Sequence, residues 1–284
     1  MRPFFLIPLL LFVFAAPAQD LNGIWKGTLV QEPGGCYNEY NIELQINFTA
    51  GSNTLSGKAY DYLDAARYVK FDFNGRYNAA SKRMVLIENV LMDSKIPAIC
   101  VPCIKTYDLT WKKDGNGEVL SGECKGREYG SNNACPAYKI TLKRSVQSDF
   151  AVDVEQSPEL ASLEKTLLLK PRAKELVQQL LLDTSRVRLD LYDNAEIDND
   201  TVTVLLNNKL LLYRKMLTDK PLSIYLNAFP NTDYELVMYA DNLGTIPPNT
   251  ALLVVTAGDK KYELHLASSE QKSAAVRFRY VKKE

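Results

Sequence analysis

The sequence predicts an all-β protein, an eight-stranded antiparallel barrel followed by a β-sandwich. Three observations lead there. Most segments alternate apolar and polar residues with period two. Clusters of Gly, Asn, Asp and Ser punctuate them at short intervals. All five cysteines, at positions 36, 100, 103, 124 and 135, fall in the first half of the chain, which assigns them to one module. The 284 residues then divide into a leader at 1–18, a barrel at 19–145, a connector at 146–171 and a sandwich at 172–284.

The leader has a charged start, Met1-Arg2-Pro3, an apolar run from Phe4 to Ala16, and the small-residue pattern Ala16-Pro17-Ala18. These are the parts of an export signal and place the mature start at Gln19. The run of about thirteen residues falls short of the roughly twenty that span a bilayer, which disfavours a membrane anchor. No Cys follows the cleavage site, which disfavours a lipid anchor, and no later stretch reads as transmembrane. The expected location is secreted, periplasmic or extracellular, where disulfides persist. Lys plus Arg equals Asp plus Glu at 34 each, so no global field draws the chain to nucleic acid or to an anionic membrane.

In the barrel module the expected strands run Gly23 to Val30, Tyr40 to Phe48, Thr54 to Tyr62, Tyr68 to Tyr77, Arg83 to Met92, Ile104 to Lys112, Glu118 to Cys124 and Tyr138 to Arg144. The second is the clearest: Tyr40, Ile42, Leu44, Ile46 and Phe48 form a buried face, while Asn41, Glu43, Gln45 and Asn47 form a wet one. Short strands joined mostly by hairpin turns suit an up-and-down barrel, whose closure removes exposed edges.

The segment Asn22-Gly23-Ile24-Trp25-Lys26-Gly27 resembles the Gly-x-Trp opening strand of lipocalin-like and avidin-like barrels, and Arg144 matches the basic residue of their closing strand. The resemblance implies that Trp25 packs at the closed end under the Arg144 guanidinium, fastening the first strand to the last. More broadly, Trp25-Lys26-Gly27-Thr28-Leu29, Cys103-Ile104-Lys105, Leu120-Ser121-Gly122 and Cys135 are similar to segments of a group of uncharacterised secreted bacterial proteins that begin with such a barrel. That likeness covers most of residues 21–145. It implies a fold and no chemistry, and because Cys103 and Cys135 recur in it, they are expected to pair. The spare thiol is then Cys36, Cys100 or Cys124.

The connector carries Pro158 at a helix start and closes at Pro171. Beyond it, strands are expected at Leu176 to Leu182, read as buried rather than helical, and at Val187 to Tyr192, Thr201 to Leu206, Lys209 to Tyr213, Leu222 to Asn227, Tyr234 to Ala240, Ala251 to Ala257, Lys261 to Leu266 and Ala274 to Val281. Their packing reads as jelly-roll or immunoglobulin-like. Segments such as Glu235-Leu236-Val237-Met238-Tyr239-Ala240 resemble a C-terminal module of secreted bacterial proteins.

Candidate chemistry is sparse. Cys100-Val101-Pro102-Cys103 has redox spacing, but a strand follows it where a helix N-terminus would be needed to lower a thiol pKa. Structural disulfide pairing is the preferred reading. A zinc site built from the cysteines is disfavoured by the oxidising space and by the single histidine, His265, in the other module. His265 has no nucleophile motif beside it. The acidic run Asp190, Asp193, Glu196, Asp198 and Asp200 offers oxygen ligands for Ca²⁺, most directly through Asp193, Asp198 and Asp200, although the EF-hand spacing is absent; the alternative is a turn whose side chains cap the backbone. No other cofactor is expected.

Aromatic residues, 16 Tyr among them, are dense in the barrel module. They either line a cup or fill a core. The expected function is non-catalytic binding. Leu44, Phe71, Phe73 and Leu109 would face a small apolar or amphipathic ligand at the open end. A structural or adhesive envelope protein with a filled barrel, contacting a cell-surface component, is the alternative, and a secreted hydrolase acting through carboxylates is the third.

Overall fold

A computed structural model describes residues 20–30, 37, 39–49, 51–115, 117–152, 154, 156–194 and 197–281. The expected export signal, Cys36 and Glu196 lie outside them. Among the described residues the chain is all-β apart from one short helix, and no helix is long and apolar enough to cross a membrane.

Eight strands close in sequence order into an antiparallel barrel: β1 (Gly23–Val30), β2 (Glu39–Thr49), β3 (Thr54–Asp64), β4 (Arg67–Asn78), β5 (Arg83–Ser94), β6 (Cys103–Asp114), β7 (Gly117–Glu128) and β8 (Ala134–Ser145). Closure is made where Ile24, Trp25 and Lys26 pair with Ser145, Arg144 and Lys143. Trp25 is fully buried, and the Arg144 guanidinium lies 4.4 Å over its ring. Arg144 also pairs with Glu118 and donates to the carbonyls of Asn22 and Asp20, while the indole N–H of Trp25 donates to Leu21 O at 3.3 Å. Gly23 has φ +136°, and a Cβ there would come 2.7 Å from Arg144 Nη1. Glycine opens the strand because the guanidinium occupies that space.

The apolar phases of all eight strands meet in one packed core. The polar phase of β2 departs from the expected wet face: Glu43 is 0% exposed and Gln45 is 2% exposed. The cause is the chain leaving β8, which folds back over this part of the wall. Asp149 N donates to Glu43 at 2.9 Å, Ser148 Oγ donates to the same carboxylate, and Gln45 Nε2 reaches Ser148 Oγ at 3.1 Å. Lys26 Nζ lies 2.8 Å from the Asp149 carboxylate and 3.7 Å from that of Glu43. Phe150 covers Tyr60, Tyr62 and Tyr68.

The connector continues through α1 (Pro158–Glu164), where Ser157 Oγ caps Leu160 N at 3.3 Å and Pro158 begins the first turn. A four-stranded sheet follows in the order β13 (Leu222–Asn227), β10 (Arg186–Asp193), β15 (Asn249–Ala257), β16 (Lys260–Ser268). It is accompanied by a five-stranded one, β12 (Lys209–Met216), β11 (Thr201–Leu206), β14 (Asp233–Ala240), β17 (Lys272–Tyr280), β9 (Ala173–Leu182). Their inner faces form a second core, in which the Tyr234 and Phe278 rings stack 5.3 Å apart. The segment read as a buried strand, Leu176 to Leu182, is an edge strand. It pairs in parallel with β17 alone, so Leu180 and Leu182 are buried while Leu176, Val177 and Leu181 are exposed.

Candidate functional site

The barrel wall is continuous at one end and parted at the other. Strand β5 runs on to Ser94 and β6 starts at Cys103, yet their pairing stops at Ile87↔Thr106. Beyond that point the link is a side chain. Glu88 Oε2 accepts from Lys105 N at 2.6 Å, and Oε1 accepts from the Tyr107 hydroxyl at 2.7 Å. Lys105 Nζ in turn donates to Asp61 on β3 and to Cys103 O. Glu88 and Lys105 are each 2% exposed, so an acid–base cluster stands inside the parted end.

Burial drives the electrostatics of this cluster. It pushes the Glu88 carboxyl up to about 7, with Asp61 adding and Lys105 opposing. Burial also opposes the Lys105 ammonium, but Asp61, Glu88 and Tyr40 outweigh it and hold the pKa above the ordinary lysine value. The Cys124 thiol, behind the cluster, is raised to about 12 by burial. The geometry supports a charged lysine paired with Asp61, with Glu88 close by on the backbone N–H of the same residue.

A cavity of about 350 Å³ opens above the cluster, bordered by Tyr37, Asp61, Tyr62, Val69, Ile96 and Ile99. The Cys103–Cys135 disulfide forms part of its wall. It joins the first residue of β6 to the second of β8 across β7, which lies between them. Two buried atoms here have no hydrogen-bond partner, Asp61 Oδ1 and Tyr37 Oη. Such atoms are uncommon in folded proteins and each calls for an explanation.

The residues expected to face a ligand lie elsewhere. Leu44, Phe73 and Leu109 are packed into the core with Trp25, and Phe71 is buried edge-on against Tyr129, centroids 6.0 Å apart. None of the four borders the mouth cavity. An eight-stranded barrel is just wide enough for its own side chains to fill, and here they fill this level. Asp61, Glu88 and Lys105 escaped the sequence reading, although each carries a charge in the apolar phase of its strand, two positions from Ala59, Leu86 and Tyr107.

The cysteines resolve clearly. Cys103 and Cys135 are bonded, Cys100 is disulfide-bonded as well, and Cys124 is the free thiol among the described residues. Cys100 and Cys103 are therefore not bonded to each other. His265 is exposed, with Nδ1 2.8 Å from Asn194 Oδ1.

In the acidic run, Asp198 Oδ2 accepts from Ile246 N at 2.7 Å and Asp200 Oδ2 from Thr250 N at 2.8 Å. Burial, helped by Asp198 and Asp193, raises the Asp200 carboxyl to about 6. Two of these side chains thus cap backbone N–H groups. Among the described residues, no group of three His, Cys, Asp or Glu side chains is arranged to hold a metal ion.

A larger cleft of about 750 Å³ runs between barrel and sandwich, bordered by Phe48, Arg188, Ile224 and Tyr225. Arg188 is already paired there with Asp190 at 2.7 Å. The mouth combines enclosure, charge and unmet hydrogen bonds, and is the stronger candidate. Neither models of protein families, nor curated proteins, nor solved structures give a match to this chain.

Proposed function

We propose that this is a secreted, non-catalytic binding protein whose barrel mouth takes one small amphipathic ligand. The reading rests on the cavity above the Asp61–Lys105–Glu88 cluster, in which Asp61 Oδ1 and Tyr37 Oη lack partners. A ligand polar group would satisfy them, and an apolar body would lie along Val69, Ile96 and Ile99. A disulfide is compatible with the secretion that the leader suggests. Native mass spectrometry of the full protein purified from its own host tests the reading. A small adduct released on unfolding is the expected result.

The packed level of Leu44, Phe73 and Leu109 favours a second reading, a structural or adhesive envelope protein with a filled barrel. In that case the mass is that of the bare chain, and no small molecule stabilises the protein.

A further inference from the structure

The charge balance of the mouth bears on which polar group a ligand would carry. The cluster at its floor holds Asp61 on the Lys105 ammonium and Glu88 on the Lys105 backbone N–H. That ammonium is spent on Asp61 and Cys103 O, and it does not border the cavity, whereas Asp61 does. Among the described residues, the other charged groups on the border are Arg67 and Glu128. The charge of Arg67 is balanced by Asp64, which accepts from both its Nε and its Nη2. Among the described residues Glu128 accepts neutral donors, Ser131 Oγ and Asn133 Nδ2. Among the described residues the cavity border therefore carries the carboxylates of Asp61 and Glu128, and its one cation, Arg67, is already balanced by Asp64.

An anionic ligand would meet the Asp61 and Glu128 carboxylates and, opposite them, only Arg67, whose charge Asp64 already balances. A neutral hydroxyl would satisfy Asp61 Oδ1 but leave Glu128 without a cation. An ammonium supplies both the missing charge and several N–H donors, enough for Asp61 Oδ1 and Tyr37 Oη together. The tyrosine rings at the border, Tyr37, Tyr40 and Tyr62, are the surface that attracts a desolvated cation. Above them the β5–β6 connection carries apolar side chains, with Ile99 90% exposed. Such exposure is costly in water and is relieved by a hydrocarbon body. The volume, about 350 Å³, lies at the small end of the roughly 300–1,000 Å³ of ligand pockets.

We infer that the mouth selects a small primary amine with an apolar body, its ammonium held by Asp61 Oδ1 and Tyr37 Oη. This inference rests on the mouth being a ligand site. The probes are hexylamine, hexanol and hexanoate, which share a chain and differ in charge, titrated into the full protein at neutral pH by calorimetry. Hexylamine should bind at least about tenfold more tightly than the other two. Asp61→Asn should weaken hexylamine roughly ten- to hundredfold while leaving hexanol within a fewfold.

Because Asp61→Asn disturbs the Lys105 pair, Tyr37→Phe provides a second variant that removes only a partnerless hydroxyl. It should weaken hexylamine severalfold, and unchanged binding in a folded Tyr37→Phe protein would overturn the proposal. Equal binding of hexanol, or tighter binding of hexanoate, overturns the ammonium while leaving the ligand site standing. Binding of none of the three overturns the amine proposal, and a bare chain in native mass spectrometry overturns the site as well.

Discussion

Phe150 lies face to face on Tyr60, ring centroids 4.0 Å apart and planes 7° apart, although Phe150 belongs to the segment that has already left the barrel. The contact fixes the exit path of the chain and explains why Tyr60, which points away from the barrel core, is buried. Phe150→Ala removes the stacked ring and uncovers three tyrosines. A loss of about 2–3 kcal/mol is expected in denaturant unfolding of the full protein. A change under about 0.5 kcal/mol would show that the strap is not held by its aromatic residue.

The packed level below the mouth separates stability from binding. Trp25→Ala and Phe73→Ala should each cost roughly 3–5 kcal/mol, the usual price of truncating a buried aromatic. Phe73→Ala should leave the affinity of any mouth ligand unchanged within about twofold, as measured by titration below the melting transition. A selective loss of affinity in Phe73→Ala would place the ligand deeper in the barrel than the mouth.

Cys124 is buried and its thiol is raised to about 12, so both access and thiolate fraction are low. Iodoacetamide should leave Cys124 unmodified in the native protein and label it after unfolding, read by peptide mapping without reduction. The same map should recover Cys103 joined to Cys135. Replacing both of these by Ser should lower stability by roughly 2–4 kcal/mol.

Asp200 provides a pH signature. Its folded-state carboxyl titrates near 6 against an ordinary value of 3.8, so between those values the folded protein holds a proton that the unfolded chain has lost. The contribution is a relative stabilisation at low pH that disappears as pH rises through about 6. Carboxylates held low by partners, such as Asp108 beside Arg83 and Asp233 beside Arg279, act oppositely and at lower pH. Asp200→Asn should therefore be more stable than the parent at pH 7, with the advantage vanishing near pH 4. An equal difference at both pH values would mean that burial does not perturb this group.

Much of the fold was legible because β-strands write their inner face into every second residue, as in Tyr40 to Phe48. What local pattern could not carry was contact with distant chain. Glu43 and Gln45 read as solvated, and only the return of Ser148 and Asp149 buries them. Likewise the β9 segment is apolar enough to pass for interior, but its one hydrogen-bonded partner among the described strands is a parallel strand some hundred residues later. The site was partly visible. Asp61, Glu88 and Lys105 interrupt the apolar phase of three separate strands, which alternation alone flags, but their meeting depends on the curvature of the wall. Leu44, Phe71, Phe73 and Leu109 share the inner face and lie below the mouth cavity, a height that strand periodicity does not encode.

The parted wall between β5 and β6 has a further consequence, for tolerance to change. At the closed end the strands are laced by backbone amides and carbonyls, which every residue except proline supplies, so most substitutions there leave the lacing intact. At the mouth the same job falls to the Glu88 carboxylate on Lys105 N and the Tyr107 hydroxyl, a join that only particular side chains can make. Between β5 and β6, sequence drift should thus be forgiven where backbone groups make the join and felt where Glu88 makes it. A random-substitution library selected for folding alone would already show Glu88 and Tyr107 as intolerant, before any ligand is applied.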